Sequence, residues 1–349
     1  MNKAYISVII PTRNRPQRLL CCLNSLLRQD FSEAYEIIIV DDGSQEACVR
    51  ECREIIAHAG CKNVKYLITP ASGPGAARIF GGMRAEGDIL AFIDDDCMAL
   101  PDWLSNISQA FRGDNDLSMM GGPLILQFSE NSPWKILNEY FKLVANGEKS
   151  HYFSKYEFSP FNTLVTANMA VRKSDYMKDA LPQKYSYLGD DTGLFYAFLK
   201  ARKKIYFDSR VQVFHLYTEK LLELLIRKCY RYGKVDVMMY HDFFHGNLTL
   251  DLRPLYGGRR MGNLHWANLP CTVYIGFDYI KLLLCILIFS LAYPCVIYFM
   301  ILIACAIGLG LSLSGKRYLA PLIFFKTLAG FFVLLGRLRY CLKYRTICI

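Results

Sequence analysis

The chain has 349 residues, 53% apolar and 14% aromatic, with 41 Lys and Arg against 31 Asp and Glu for a formal charge of +10. That length suits one large domain plus an appendage. Residues 1–215 hold 25 basic and 25 acidic side chains, which leaves 16 and 6 for residues 216–349. A neutral N-terminal part argues against a nucleic-acid partner, while basic residues beside long apolar runs point to an anionic membrane surface. Thirteen cysteines without a Cys-x-x-Cys pair fit reduced, buried thiols in a cytosol-facing protein rather than a disulfide scaffold.

Residues 5–10 form a β-branched run of strand length. Its apolar core, Ile6 to Ile10, is too short for a signal peptide and ends at Pro11. Pro16 suits a first helical turn, and Leu19, Leu20, Leu23, Leu26 and Leu27 repeat with helical spacing. Ile37–Val40 is a second buried strand, closed by Asp41-Asp42-Gly43-Ser44 as turn and cap. A helix to about His58, a strand at Val64–Ile68, a helix from Gly73-Pro74-Gly75 through Arg84 and a strand at Ile89–Ile93 follow. Four strand–helix alternations with continuously apolar strands predict a Rossmann-like α/β domain with a mostly parallel sheet, helices on both faces and ligands at the carboxyl ends of the strands. Pro11-Thr12, Asp41-Asp42, Ser72-Gly73 and Asp94–Asp96 all fall at those ends.

Beyond residue 115 the pattern loosens. Met119–Phe128 reads as one further strand, and residues 129–160 as an aromatic, turn-rich insertion. Gly189-Asp190-Asp191-Thr192 reads as the cap of a helix ending near Lys200, and Lys204–Phe207 and Val211–Phe214 as short strands, the second ending at His215. Residues 219–232 have the spacing of an amphipathic helix, either interfacial or an ordinary surface helix. The 32 residues from Leu282 to Leu313 carry no charge. At ~1.5 Å per residue they exceed the ~30 Å of a bilayer core. Leu319 to Leu335 is a second apolar run, and the flanking Lys281, Lys316, Arg317, Arg337 and Arg339 favour two spans with both ends in the cytoplasm. The expected division is 1–215 (1–115 and 116–215 as halves), a connector at 216–270 and membrane helices at 271–349.

Asp94-Asp95-Asp96 is the most informative local feature. Three carboxylates at the tip of a buried strand repel one another and require a compensating positive charge. Asp-x-Asp spacing with oxygen ligands suits Mg²⁺ or Mn²⁺ bearing a diphosphate. A solvated loop or a cap for the helix beginning near Asp102 is the structural alternative.

Seven segments in order resemble the family 2 glycosyltransferases with a GT-A fold, the nucleotide-diphospho-sugar transferase architecture. They are Ser7–Arg15, Val40–Ser44, Gly73–Arg78, Phe92–Asp96, Ala167–Arg172, Gly189–Asp191 and Val213–His215. Ile79 stands where the family commonly has Asn, and Asp190-Asp191 where it commonly has Glu-Asp. The Gln-x-x-Arg-Trp signature of processive synthases is absent, which implies one sugar per encounter. The resemblance implies metal ligation by Asp96, with Asp94 towards the ribose or the metal and His215 completing the sphere. It implies Asp191 as general base with Asp190 orienting the acceptor, and Asp41 and Asp42 recognising uracil. Pro11, Thr12 and Arg15 would line the base and ribose, Asp95 would sit among the donor contacts, and Arg78 with the amides after Gly73 would meet the diphosphate. The expected activity is inverting transfer from a nucleoside diphosphate sugar, UDP first, to a lipid-linked or membrane-held acceptor, with the catalytic domain on the cytoplasmic side of the cell's plasma or inner membrane. By their basic and aromatic composition, Tyr230, Arg231, Tyr232 and Gly233, beside Arg227 and Lys228, are expected to hold a lipid diphosphate at the membrane surface. A silent nucleotide-sugar-binding membrane protein and a nucleotidyltransferase on a related sheet are the alternatives.

Overall fold

Strand β1 (Ile6–Thr12) is buried along its whole length, because both faces of the sheet to which it belongs are covered and its alternate residues have no polar side to face. A computed structural model describes residues 6–60, 62–153, 156, 163–178, 189–217, 229–252, 262–266, 272–277, 319–344 and 346–348. The chain divides into two units, Met1–Thr218 and Glu219–Ile349.

In the first unit, β1 is followed by α1 (Pro16–Leu26), β2 (Tyr35–Asp42), α2 (Glu46–Ala59), β3 (Val64–Thr69), α3 (Pro74–Arg84) and β4 (Ile89–Ile93). These elements match the expected alternation. The three strand pairs β3–β2, β2–β1 and β1–β4 are parallel. The central sheet runs β3-β2-β1-β4 and continues through the strands Asn168–Arg172, Leu117–Gly121, Lys204–Phe207 and His151–Phe153. Leu19, Cys22, Leu23 and Leu26 of α1 share one buried core with Ile6, Val8 and Ile10 of β1 and Ile37 and Ile39 of β2.

The second half differs from the expected single strand at Met119–Phe128. Two strands occupy it, β6 (Leu117–Gly121) and β7 (Leu124–Phe128), after β5 (Cys97–Ala99) and α4 (Trp103–Gly113). The chain leaves the central sheet at Gly122-Pro123, where proline offers no N–H to the ladder, and β7 joins a separate three-stranded sheet in which the strand Val213–Tyr217 lies between β5 and β7. The turn-rich insertion contains α5 (Leu137–Gly147) and β8 (His151–Phe153). β9 (Asn168–Arg172) runs antiparallel between β4 and β6. After α6 (Lys173–Lys178) and α7 (Asp190–Lys200), β10 (Lys204–Phe207) pairs with β6, and β11 (Val213–Tyr217) carries His215 at its middle rather than past its end.

Asn168 joins these pieces. It lies opposite Ile93 of β4. Its Oδ1 accepts from Trp103 Nε1 at 2.8 Å, and its Nδ2 donates to the carbonyls of Pro123 at 3.0 Å and Val211 at 2.7 Å. One buried amide thus ties α4, the start of β7 and the approach to β11. Asn168→Ala strands the Trp103 indole N–H and the Val211 carbonyl away from water, while the Pro123 carbonyl keeps the Val213 amide at 3.1 Å, and each stranded group costs about 1–3 kcal/mol. The expected result is a lower urea midpoint at unchanged slope; a midpoint equal to the parent's would show that the hub carries no stability.

In the second unit, helix Tyr230–Phe243 pairs with helix Leu319–Tyr344. A Cβ on Gly233 would lie 2.1 Å from the Val333 carbonyl, so these helices touch backbone to backbone. Buried Arg337 donates to Asp236 Oδ2 from Nε at 2.9 Å. A four-stranded sheet of order β13-β12-β14-β15 comprises β12 (Leu248–Leu252), β13 (Gly262–Trp266), β14 (Val273–Phe277) and β15 (Ile347–Cys348). Strands here were not expected from the sequence, which reads as a connector followed by membrane helices. Among the described residues no helix is long and apolar enough to cross a membrane. The second expected span falls within helix Leu319–Tyr344, so the structure does not support it as a crossing; that helix spends its Arg337 on an ion pair with a neighbouring helix. The first expected span, Leu282 to Leu313, and residues 219–228 with Arg227 and Lys228 lie outside the described residues.

Candidate active site

The carboxyl ends of β1, β2 and β4 lie side by side because these strands are parallel neighbours, with Thr12 level with Asp41. Their polar termini therefore share one edge, as expected. What each side chain does there is more specific than the spacing foretold.

Asp41 and Asp42 spend their oxygens on the protein. Asp41 is fully buried. Its Oδ1 accepts from the Ser44 amide at 2.7 Å, and its Oδ2 accepts from the Tyr66 hydroxyl. Asp42 Oδ1 accepts from the Ser72 amide at 2.7 Å, and its Oδ2 from the Gly73 amide at 3.0 Å. Asp42 thus holds the loop that starts α3. The next residue, Gly43, adopts φ +72°, and a Cβ there would come 2.8 Å from the Ala71 amide nitrogen; only glycine fits that left-handed turn without strain. In this structure the Asp41 carboxylate is sealed from solvent and shapes the turn. Asn14 links this turn to β1, its amide donating to Ser44 Oγ at 2.8 Å.

The aspartate triplet splits into three tasks. Asp94 Oδ1 accepts from Arg78 Nη2 at 2.5 Å, and Arg78 Nη1 donates to Asp190 Oδ2. Arg78 is buried, and its fork joins the tip of β4 to the first turn of α7. Asp95 Oδ2 accepts from Thr12 Oγ1 at 2.7 Å, and its other oxygen lies 3.4 Å from Arg15 Nη1. Burial, then the neighbouring Asp96 charge, pushes the Asp95 carboxyl up to about 6. Asp96 Oδ2 meets Arg18 Nη1 at 3.2 Å and Arg15 Nη1 at 3.4 Å. Its Oδ1 lies 3.4 Å from His215 Nε2 and 3.9 Å from Cys97 Sγ.

Asp96 and His215 are thus brought together as the resemblance implied, whereas Asp94 faces Arg78 instead of joining them. The expected partnership of Arg78 with a diphosphate is replaced in this structure by its two carboxylates. Pro11 is buried within β1, and Thr12 and Arg15 turn to the aspartates. Ligand atoms of Asp96, Cys97 and His215 all lie within 4.8 Å of one another, and all three residues are buried. A carboxylate and an imidazole around one point are donors that Mn²⁺ and its neighbours accept, so these residues fit a divalent cation. Cys97 is a neutral thiol here, since burial and then the charges of Asp94 and Asp96 push it up.

Within the expected capping segment Gly189 occupies the cap with φ +83°, and Asp190 and Asp191 lie inside the first turn of α7. Asp191 Oδ1 accepts from the Thr192 amide at 2.7 Å and its hydroxyl at 3.2 Å. Burial, then the charge of Asp190, raises the Asp191 carboxyl to about 6. Asp190 is also raised by burial, against the lowering pull of Arg78. Two half-buried carboxyls side by side, one tied to a cation and the other raised to about 6, form the arrangement a general base requires.

Sequence reasoning missed Arg18, Cys97, Tyr66 and Thr192. Arg18 carried a signal: it lies about one helical turn after Arg15, so both can reach the same carboxylate. Cys97 carried none until its strand partner was known.

Known proteins share this architecture. Over 180 residues the chain is 28% identical to glycosyltransferase AglE of Haloferax volcanii, covering 51% of this chain and 55% of that protein; the chain thus spans little more than half of AglE's length. It is 24% identical over 251 residues, 70% of this chain and 77% of the other, to the dolichyl N-acetyl-alpha-D-glucosaminyl phosphate 3-beta-D-2,3-diacetamido-2,3-dideoxy-beta-D-glucuronosyltransferase of Methanococcus voltae. The crystal structure of GalNAc-T7 with UDP, GalNAc and Mn²⁺ matches with a TM-score of 0.50 at 16% identity, covering 67% of this chain and 50% of that one, a likeness of fold. The family model described as Glycosyl transferase family 2 matches residues 7–176 of this chain.

Proposed function

We propose that the chain is an inverting glycosyltransferase that moves one sugar from a nucleoside diphosphate sugar, UDP first, to a lipid-linked acceptor held at a membrane. The carrying observation is the Arg78 fork: it brings Asp94, beside the cation-competent Asp96 and His215, to the first turn of α7, where Asp191 stands. Asp191 takes the proton of the acceptor hydroxyl, and Asp190 with Arg78 orients it. Asp96 and His215 hold Mg²⁺ or Mn²⁺, which when bound offsets the charge of the leaving diphosphate. Thr12, Arg15 and Asp95 face the donor, and Asp41, Asp42 and Gly73 keep in shape the loops on which the base lies. The lipid-linked acceptor is favoured by the name of the Methanococcus voltae relative and by the uncharged run from Leu282 to Leu313. That run would anchor the chain, with its catalytic domain in the cytoplasm.

The test is UDP release from a panel of UDP-sugars, with a polyprenyl-phosphate-linked sugar as acceptor. EDTA should abolish release, added Mn²⁺ should restore it, and Asp96→Asn should not respond to Mn²⁺. Nucleotide-sugar binding without release across the panel would instead leave a binding module, and pyrophosphate formed from a nucleoside triphosphate would identify a nucleotidyltransferase.

A further inference from the structure

The geometry points to Cys97 as a third donor of the cation site, which makes the site an Asp96–Cys97–His215 centre that prefers borderline cations of the Zn²⁺ and Co²⁺ class to Mg²⁺. The proposal deepens the reading above, sharing its cation site but not requiring sugar transfer.

β5 and β11 run antiparallel, and His215 lies directly opposite Cys97 in their register. Directly opposed residues project from the same face with Cβ atoms ~4.5–5.5 Å apart. Cys97 and His215 are thus forced by the ladder to present sulfur and nitrogen to the same point. Asp96 immediately precedes β5, and its carbonyl accepts from the Leu216 amide at 2.9 Å. That bond extends the ladder by one residue and fixes where the Asp96 side chain starts. Three consecutive constraints therefore place three different donors, with Nε2 of His215 3.4 Å and Sγ of Cys97 3.9 Å from Oδ1 of Asp96.

A tetrahedral cation with bonds of ~2.0–2.3 Å holds its donors ~3.3–3.7 Å apart. The Asp96–His215 spacing already lies in that range, the Asp96–Cys97 spacing needs a closure of a few tenths of an ångström, and the sulfur and the imidazole nitrogen lie within 4.8 Å of each other. An oxygen-only site of the kind Mg²⁺ demands is not what these residues offer. Asp94 is pinned by Arg78, and Asp96 Oδ2 is engaged by Arg15 and Arg18. The set that converges is one oxygen, one nitrogen and one sulfur, and thiolate with imidazole selects cations later in the divalent series. As the sulfur–metal bond forms, the thiol gives its proton to solvent. Three protein donors leave a position open for an oxygen of the donor diphosphate.

The experiment uses the full-length protein, stripped of metal and titrated with Co²⁺ while its absorption is recorded. A thiolate-to-cobalt charge-transfer band should rise to saturation at one equivalent, and Cys97→Ser and Cys97→Ala should lack it. The preference for Zn²⁺ over Mn²⁺, measured by competition, should fall at least about tenfold in Cys97→Ser. X-ray absorption of the Zn²⁺-loaded parent protein needs no variant: one sulfur and one imidazole in the shell support the centre, and a shell of oxygen and nitrogen alone overturns it. A cobalt band that persists unchanged in both Cys97 variants also overturns it. If the band is present while no UDP-sugar is turned over, the enzymatic reading fails and the metal centre stands; if sugar transfer proceeds and the parent shows no band, the reverse holds.

Discussion

Asp191→Asn should lower sugar transfer by about a hundredfold to ten-thousandfold, the span a positioned general base contributes, while nucleotide-sugar binding is kept. The amide matches the carboxylate in size but cannot take the acceptor proton. In the parent, activity should fall as pH drops through about 6, because burial and the adjacent Asp190 place the Asp191 carboxyl there and only its ionised form is a base. The same shift has a consequence for stability. The folded-state value lies above the ordinary value of 3.8, so this group's favourable contribution is complete below about 3.8 and is lost as pH rises through about 6. At pH 8 the parent holds an ionised, half-buried carboxylate beside Asp190 that the variant lacks. Asp191→Asn should therefore melt higher than the parent at pH 8, with the gap closing towards pH 4. A variant that keeps full activity, or melts lower at pH 8, removes Asp191 from this role.

The second large effect is expected at Arg78. Its buried guanidinium sits between Asp94 and Asp190, whose side chains retain 30% and 19% exposure. Removing the cation from such a cluster leaves two carboxylates facing one another, at a cost of about 3–5 kcal/mol. Because both partners keep some contact with water, Arg78→Met should fall at the lower end, read as a drop in the urea midpoint. Arg78→Lys keeps the charge but has no fork, so it cannot bridge two acids in one plane. Asp190→Asn should recover part of the loss in the Arg78→Met background. Strict additivity of the two substitutions would mean that Arg78 and Asp190 do not act as a pair.

Much of the first half was legible because its strands are buried on both faces. Ile6–Ile10, Ile37–Val40 and Ile89–Ile93 are runs that periodicity identifies without tertiary information. Pro and Gly at Pro16, Gly73 and Pro74 mark the helix starts for local reasons of backbone geometry. The parallel order then placed Thr12, Asp41 and Asp94 on one edge. Local sequence therefore determined the alternation, the edge and the residue types gathered there.

Side-chain partnership was not legible, because it depends on registers between strands far apart in the chain. His215 meets Asp96 only because β11 pairs with β5, and a strand of three residues leaves too weak a pattern to find. β9 was known as a motif but not as an antiparallel strand, since its neighbours β4 and β6 both precede it in sequence and pair with it only in the folded sheet. Asp41 and Asp42 looked free to meet a ligand, yet the amides at Ser44, Ser72 and Gly73 needed acceptors and took them. Composition and spacing decided which charged groups reach the rim of the sheet; the fold decided which of them neutralise one another and which remain for chemistry, because that balance is struck between atoms a few ångströms apart and not between positions in a chain.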